Sequence, residues 1–177
     1  MRKIILVLGR TGAGKSTLCQ KLADTFQAKL LSFAKCGKDF AALHGYRHIR
    51  KCYNELGPEQ FKKLFSDYFE EIIICAVEEY SFVIIDGLYV YEIAKCLKSK
   101  YNSPFLYIDV PLEVCYERIA KRESMTIEQV KAEYASKEIM KQYLGNELII
   151  NMSDCIINGN QDSDTVYSSA VALINTL

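Results

Sequence analysis

The chain of 177 residues contains no tryptophan, three prolines and two histidines, and it is as notable for the patterns it lacks. Its seven cysteines never lie closer than sixteen residues apart, so there is no C-x-x-C pair for zinc or dithiol chemistry, and reduced, intracellular thiols are expected. Long apolar runs are missing too. Met1-Arg-Lys leads into five apolar residues, Ile4 to Leu8, before Gly9 and Arg10 interrupt, which is too short for a signal-peptide core. No stretch reaches the about eighteen apolar residues that span a bilayer. A cytoplasmic protein without a membrane partner is expected.

Net charge is also missing. Lys and Arg total 22 and Asp and Glu total 22, a formal zero that argues against a coat for nucleic acid. The zero conceals a gradient, because residues 1–63 carry +9 and the remainder −9, so the first third is expected to handle something anionic. With half the residues hydrophobic, a quarter charged and little proline, the chain can bury a core, and its length suits one domain.

Short apolar runs at 3–8, 29–33, 82–85, 105–108 and 155–157 predict strands apolar on both faces, the pattern of a parallel sheet covered on both sides. Helical periods fill 15–26, 58–80, 88–100, 111–122, 126–144 and 162–175. The alternation predicts an α/β fold with right-handed crossovers. Residues 34–57 give no clear pattern, because Gly37 and Gly45 interrupt a helical period.

Directly after the first apolar run comes Gly9-Arg10-Thr11-Gly12-Ala13-Gly14-Lys15-Ser16-Thr17, which fits G-x-x-x-x-G-K-[ST] in the required strand, loop and helix context. Glycines allow successive backbone N–H groups to converge on an anion, and the following helix adds its positive end. Lys15 supplies a point charge, and the Ser16 hydroxyl can hold Mg²⁺. Asp86 ends the third apolar run, at the sheet edge where α/β folds bind ligands, so it could orient Mg²⁺ or the acceptor, or merely cap the next helix.

Arg118 and Arg122 lie four apart with no acid three or four residues away, and such a pair suits phosphate or a distant carboxylate. Arg47 and Arg50 also lack a local acid and fall in the basic third, as contacts for a second anionic substrate. Lys51, Lys137 and Lys141 each have a glutamate three or four residues away, an ordinary explanation. His44 and His48 read as solvated or core-edge residues sooner than as metal ligands.

These residues carry a family resemblance. The phosphate loop, Asp86-Gly-Leu-Tyr-Val-Tyr-Glu92, Tyr107-Ile-Asp-Val-Pro-Leu-Glu113, Arg118 to Gln129 and Ser153-Asp-Cys-Ile-Ile-Asn158-Gly-Asn160 follow the order seen in dephospho-CoA kinase. More broadly the chain resembles the adenylate kinase-like, nucleoside monophosphate kinase group of P-loop phosphotransferases. The resemblance implies a three-layer P-loop fold with a five-stranded parallel sheet, a substrate-binding helical region near 34–80 and a lid near 118–144. It implies ATP held by Gly9, Thr11, Gly12, Ala13, Gly14, Lys15, Ser16, Thr17 and Asn158, with Mg²⁺ at Ser16 and Asp86. Lys15, Asp86, Arg118 and Arg122 would be catalytic, and Arg47, Arg50 and Asp39 would bind the acceptor.

One departure stands out. The second apolar run is followed by Leu31-Ser-Phe-Ala-Lys-Cys-Gly-Lys-Asp39, with no carboxylate before Asp39, and Ser-Phe-Ala with basic residues looks more like some deoxynucleoside monophosphate kinases. The expected activity is transfer of the γ-phosphoryl group of ATP to a small nucleotide-like acceptor, dephospho-CoA or a nucleoside monophosphate, by a monomer or small homo-oligomer. The competing reading is a module that binds nucleotide without transferring phosphate. A GTPase is disfavoured, since there is neither N-K-x-D nor a D-x-x-G after Asp86.

Overall fold

A computed structural model describes residues 3–176, the side chain of Ser136 apart. The chain forms β1 (Lys3–Gly9), α1 (Lys15–Phe26), β2 (Lys29–Ser32), α2 (Phe33–Leu43), α3 (Ile49–Leu56), α4 (Pro58–Glu79) and β3 (Phe82–Asp86). It continues with α5 (Tyr91–Tyr101), β4 (Phe105–Asp109), α6 (Leu112–Glu123), α7 (Ile127–Tyr143), α8 (Asn146–Ile150), β5 (Cys155–Asn158) and α9 (Ser163–Thr176). All strand pairs are parallel, in the order β2-β3-β1-β4-β5. This is the α/β fold expected, with helices on both faces of a five-stranded sheet.

Alternation along β1 divides the core. Ile4, Leu6 and Leu8 face one side, against Phe33, Phe40, Phe61, Phe65 and Phe69 of α2 and α4. Ile5 and Val7 face the other, against Leu18 and Leu22 of α1 and Val166, Ala170 and Ile174 of α9. The aromatic side is locked edge-to-face, with Phe33 5.0 Å from both Phe65 and Phe69 by ring centroid. A third small cluster, Ile119, Val130 and Tyr134, joins α6 to α7, so this helix pair has a core of its own.

Residues 34–57, which had no clear pattern, form α2 and α3. Ser32 caps α2 by accepting from the Lys35 N–H at 3.3 Å. Gly37 is buried where α3 crosses, and a Cβ there would stand 2.7 Å from Ile49 Cδ1, so the glycine is a packing residue and not a helix stop. The helix expected over 88–100 begins later, at Tyr91. Leu88 and Val90 are instead buried in an extended segment, and the Tyr91 N–H donates to Leu144 O at 3.0 Å. Helix α8 was not anticipated. Strand β5 is not apolar-covered on both faces, because it is a sheet edge and Ile156 remains 71% exposed.

Pairing aligns the strand ends. Val7 and Ser32 both pair with Asp86, and Asp109 pairs with Asn158. The carboxyl ends of the strands therefore share one edge, and the phosphate loop leaves from the middle of it. Among the described residues no helix is long and apolar enough to cross a membrane.

Candidate active site

A cleft of about 1510 Å³ opens at this edge. Its walls include Gly9, Thr11, Gly12, Gly14, Lys15, Ser16 and Thr17 from the loop and α1, and Asp86 from β3. Arg118 and Arg122 come from α6, Arg47 from the turn before α3 and Arg50 from its first turn. A single small-molecule site occupies about 300–1,000 Å³, so this volume accommodates two ligands side by side.

Backbone shape makes the loop. Gly12 and Gly14 have φ of +87° and +88°, a region costly for residues with a Cβ. A Cβ on Gly12 would also stand 2.7 Å from Cys115 O, so the loop lies directly on α6. On Gly14 it would meet nothing within 4 Å, which leaves the cleft side of the loop open where α1 begins. That open end combines free N–H groups with the positive pole of the α1 dipole.

Lys15 arches back so that Nζ donates to Arg10 O at 2.9 Å. Burial, the largest influence, holds its ammonium below the ordinary 10.5. Asp86 opposes this, and Lys141 adds to it by like-charge repulsion. The negative charge of an incoming polyphosphate would offset both effects. Asp86 is buried, 8% exposed, and Gly87 N–H donates to Val7 O at 2.9 Å directly behind it.

Two oxygen-bearing side chains of the sequence-based metal assignment line the same cleft, the Ser16 hydroxyl at the start of α1 and the Asp86 carboxylate. A hard-oxygen pair of this kind fits Mg²⁺, which takes one or two protein oxygens and completes its octahedron with phosphate and water. His44 is not part of any such shell, since its Nδ1 lies 2.9 Å from Phe40 O. The thiols of Cys19 and Cys115 beside the loop are pushed up by burial, so neither is a nucleophile at neutral pH.

The structure distributes the remaining expected site residues unevenly. Arg118 reaches from the cleft wall to donate to Gly159 O at 3.2 Å, joining α6 to the turn after β5. Arg122 is not unshielded as its spacing suggested, because it pairs with the adjacent Glu123 at 2.6 Å, a neighbour a test three or four residues away passes over. Asn158 is off the cleft wall, and its Oδ1 accepts from the Asn160 N–H at 3.0 Å. Ala13 is buried under the loop. Asp39 does not line the cleft: Ala34 and Lys38 show their shared face of α2 to it, and Asp39 lies about 100° further round the helix.

Five cations on the wall, Arg10, Lys38, Lys51, Lys137 and Lys141, were passed over in the sequence. Lys141 pairs with Glu138 at 2.6 Å, as its spacing predicts, yet its Nζ also lies 3.1 Å from Thr11 Oγ1 in the phosphate loop. An ammonium has three protons, so a local partner does not use it up. Lys137 and Lys38 also line the cleft. Beside them Tyr89 packs edge-on to Phe33 at 4.6 Å, and burial pushes its hydroxyl to about 12, so it stays protonated.

The profile of the family described as "AAA domain" matches residues 5–141. A cytidylate kinase of Pyrococcus furiosus is 29% identical over 185 residues, covering 98% of this chain and 89% of that protein. One of Saccharolobus islandicus is 26% identical over 184 residues, covering 96% and 92%. Among solved structures, a shikimate kinase from Bacteroides thetaiotaomicron superimposes with a TM-score of 0.65 at 16% identity, covering 98% of this chain and 97% of that one. At that identity the likeness concerns the fold.

Proposed function

The chain belongs to the AAA domain family and is a P-loop kinase of the nucleoside monophosphate kinase type, and from that premise we propose that it transfers the γ-phosphoryl group of ATP to CMP. The observation that carries the reading is one cleft lined by both the phosphate loop and further cations, Lys38, Arg47 and Arg50, with room for two ligands. The cytidylate kinase relatives supply the choice of base.

In this reading the loop amides and Lys15 grip the β- and γ-phosphates, and Arg118 holds the adenine side of ATP through its link to Gly159. Ser16 and Asp86 would hold Mg²⁺, which spreads the charge of the transferring group. Arg47 and Arg50 hold the α-phosphate of CMP so that one of its oxygens attacks the γ-phosphorus as the bond to ADP breaks. Lys141 leaves Thr11 for the γ-phosphate, and Arg122 follows from α6. These cations neutralise charge on the transferring group and keep water away from it. The cell interior suits such a reaction, and all seven cysteines are free thiols.

Coupled ADP release over a panel of CMP, dCMP, UMP, AMP, dTMP, dGMP and dephospho-CoA tests the proposal. CMP is expected to stimulate release most, and Lys15→Ala to abolish it in a protein that remains folded. Stimulation by dephospho-CoA alone would reassign the acceptor. Tight ATP binding with no stimulation by any acceptor would make the protein a nucleotide-binding module.

A further inference from the structure

The last turn of α7 touches the phosphate loop on one side and helices α3 and α4 on the other. Lys141 rests on Thr11 of the phosphate loop, and two residues later the Tyr143 hydroxyl donates to Glu59 Oε1 at 2.5 Å, in the first turn of α4. The Tyr143 ring meets Tyr53 of α3 nearly edge-on, 6.4 Å between centroids and 70° between planes. Helix α3 begins at Ile49, so Arg50 and Tyr53 share it. Glu59 also pairs with Lys62, which reaches Glu92 of α5 at 3.2 Å, and Leu144 O anchors the Tyr91 N–H of α5.

Tyr143 is 48% exposed and the Glu59 side chain 76% exposed. An exposed bond of this kind adds little to the stability of the fold. Together with the Tyr53 ring contact it nevertheless joins the helix carrying Lys141 to α3 and α4. Charge on the phosphate loop draws on Lys141, and any resulting movement of α7 is passed to α3 and α4 through Tyr143.

We infer that the Tyr143–Glu59 hydrogen bond links the two substrate positions, so that ATP on the loop and the acceptor beside α3 each tighten binding of the other, with Tyr143 and Glu59 as positioning residues. The inference rests on the two-substrate reading of the cleft. Coupling of this kind is reciprocal and typically 5–150-fold.

Amide hydrogen exchange with Mg²⁺ and a non-hydrolysable ATP analogue tests it without any acceptor. In the wild type the analogue is expected to slow exchange in both α7 and α4. In Tyr143→Phe, which keeps the ring contact with Tyr53 of α3 but lacks the hydroxyl that Glu59 accepts from, protection of α7 persists and that of α4 is lost. Equal protection of α4 in the variant, or none in the wild type, overturns the link. The Kd of CMP, measured with and without the analogue, is expected to change at least about fivefold in the wild type. In Tyr143→Phe, Glu59→Ala and the double variant the change shrinks to less than about twofold, the double no further than the singles. An undiminished ratio in the single variants overturns the link. Failure of CMP to bind while the exchange result holds overturns only the choice of acceptor.

Discussion

Gly12 and Gly14 have nearly the same backbone angle, and replacing each by alanine separates folding from phosphate binding. At Gly12, φ of +87° costs a residue with a Cβ about 1–2 kcal/mol. The new methyl also stands 2.7 Å from Cys115 O and 3.1 Å from Ile119 Cδ1, an overpacking worth about 1–3 kcal/mol. Because the nearest atom is backbone, the loop or α6 has to shift. A total of about 2–5 kcal/mol lowers the Tm of a chain this size by roughly 5–20 °C. Gly14→Ala has the same angular strain, φ of +88°, but no neighbour within 4 Å, so its Tm falls by only about 2–8 °C. Its methyl projects into the open cleft at the start of α1, where a phosphate would lie. Thermal unfolding followed by circular dichroism, with and without Mg-ATP, reads both effects. Ligand at 100 times its Kd stabilises by about 2.7 kcal/mol, and Gly14→Ala is expected to lose that increment while remaining folded. A Gly12→Ala protein that melts within about 2 °C of the wild type would refute the close approach to α6. A Gly14→Ala protein that keeps the full ATP shift would refute the placement of phosphate on the open face.

The lowered Lys15 pKa makes nucleotide binding pH-dependent. Bound phosphates raise that pKa, so binding takes up a proton at alkaline pH and affinity falls as pH rises toward the ordinary 10.5; calorimetry in buffers of different ionisation enthalpy measures the uptake, and Lys15→Met should abolish it. Steady-state kinetics should divide the arginines. Arg47→Ala is expected to raise the KM for CMP about tenfold and leave that for ATP unchanged, whereas Arg118→Ala raises the KM for ATP by a similar factor, a loss of about 1.4 kcal/mol in each case. Asp39→Asn should leave both constants within about twofold of the wild type, since its side chain is off the cleft wall and a neutral surface change is worth at most about 0.5 kcal/mol.

How far the site could be read from the chain differs residue by residue. Lys15 and Ser16 were legible because phosphate binding by a loop is a local arrangement: consecutive amides, three glycines at positive φ and a helix start lie within eight residues. Asp86 was legible because an apolar run that ends in a carboxylate marks a strand's carboxyl end. Arg122 was only half legible. Its helical face could be inferred, but Glu123, one residue on, curls back to it and also accepts from the Tyr134 hydroxyl at 3.2 Å. Asp39 was misplaced for a different reason: type and proximity to basic residues say nothing about the phase of α2 until Phe33, Phe40 and Gly37 fix which side packs inward.

Local periodicity was sufficient for five strands, six of the helices and the loop, because side-chain spacing is set by the backbone rise and twist of each element, independent of its neighbours. Helices α2, α3 and α8 were not legible in that way, and neither were the contacts across the cleft. Lys141 meets Thr11 over 130 residues of chain and Tyr143 meets Glu59 over 84. Such pairs exist because the Ile119, Val130 and Tyr134 cluster sets α7 against α6 while Met140 and Leu144 sink into the aromatic side of the core. A lysine with a glutamate three residues away looks the same in sequence wherever its helix docks. Packing alone turned Lys141 toward the phosphate loop and Tyr143 toward Tyr53 and Glu59.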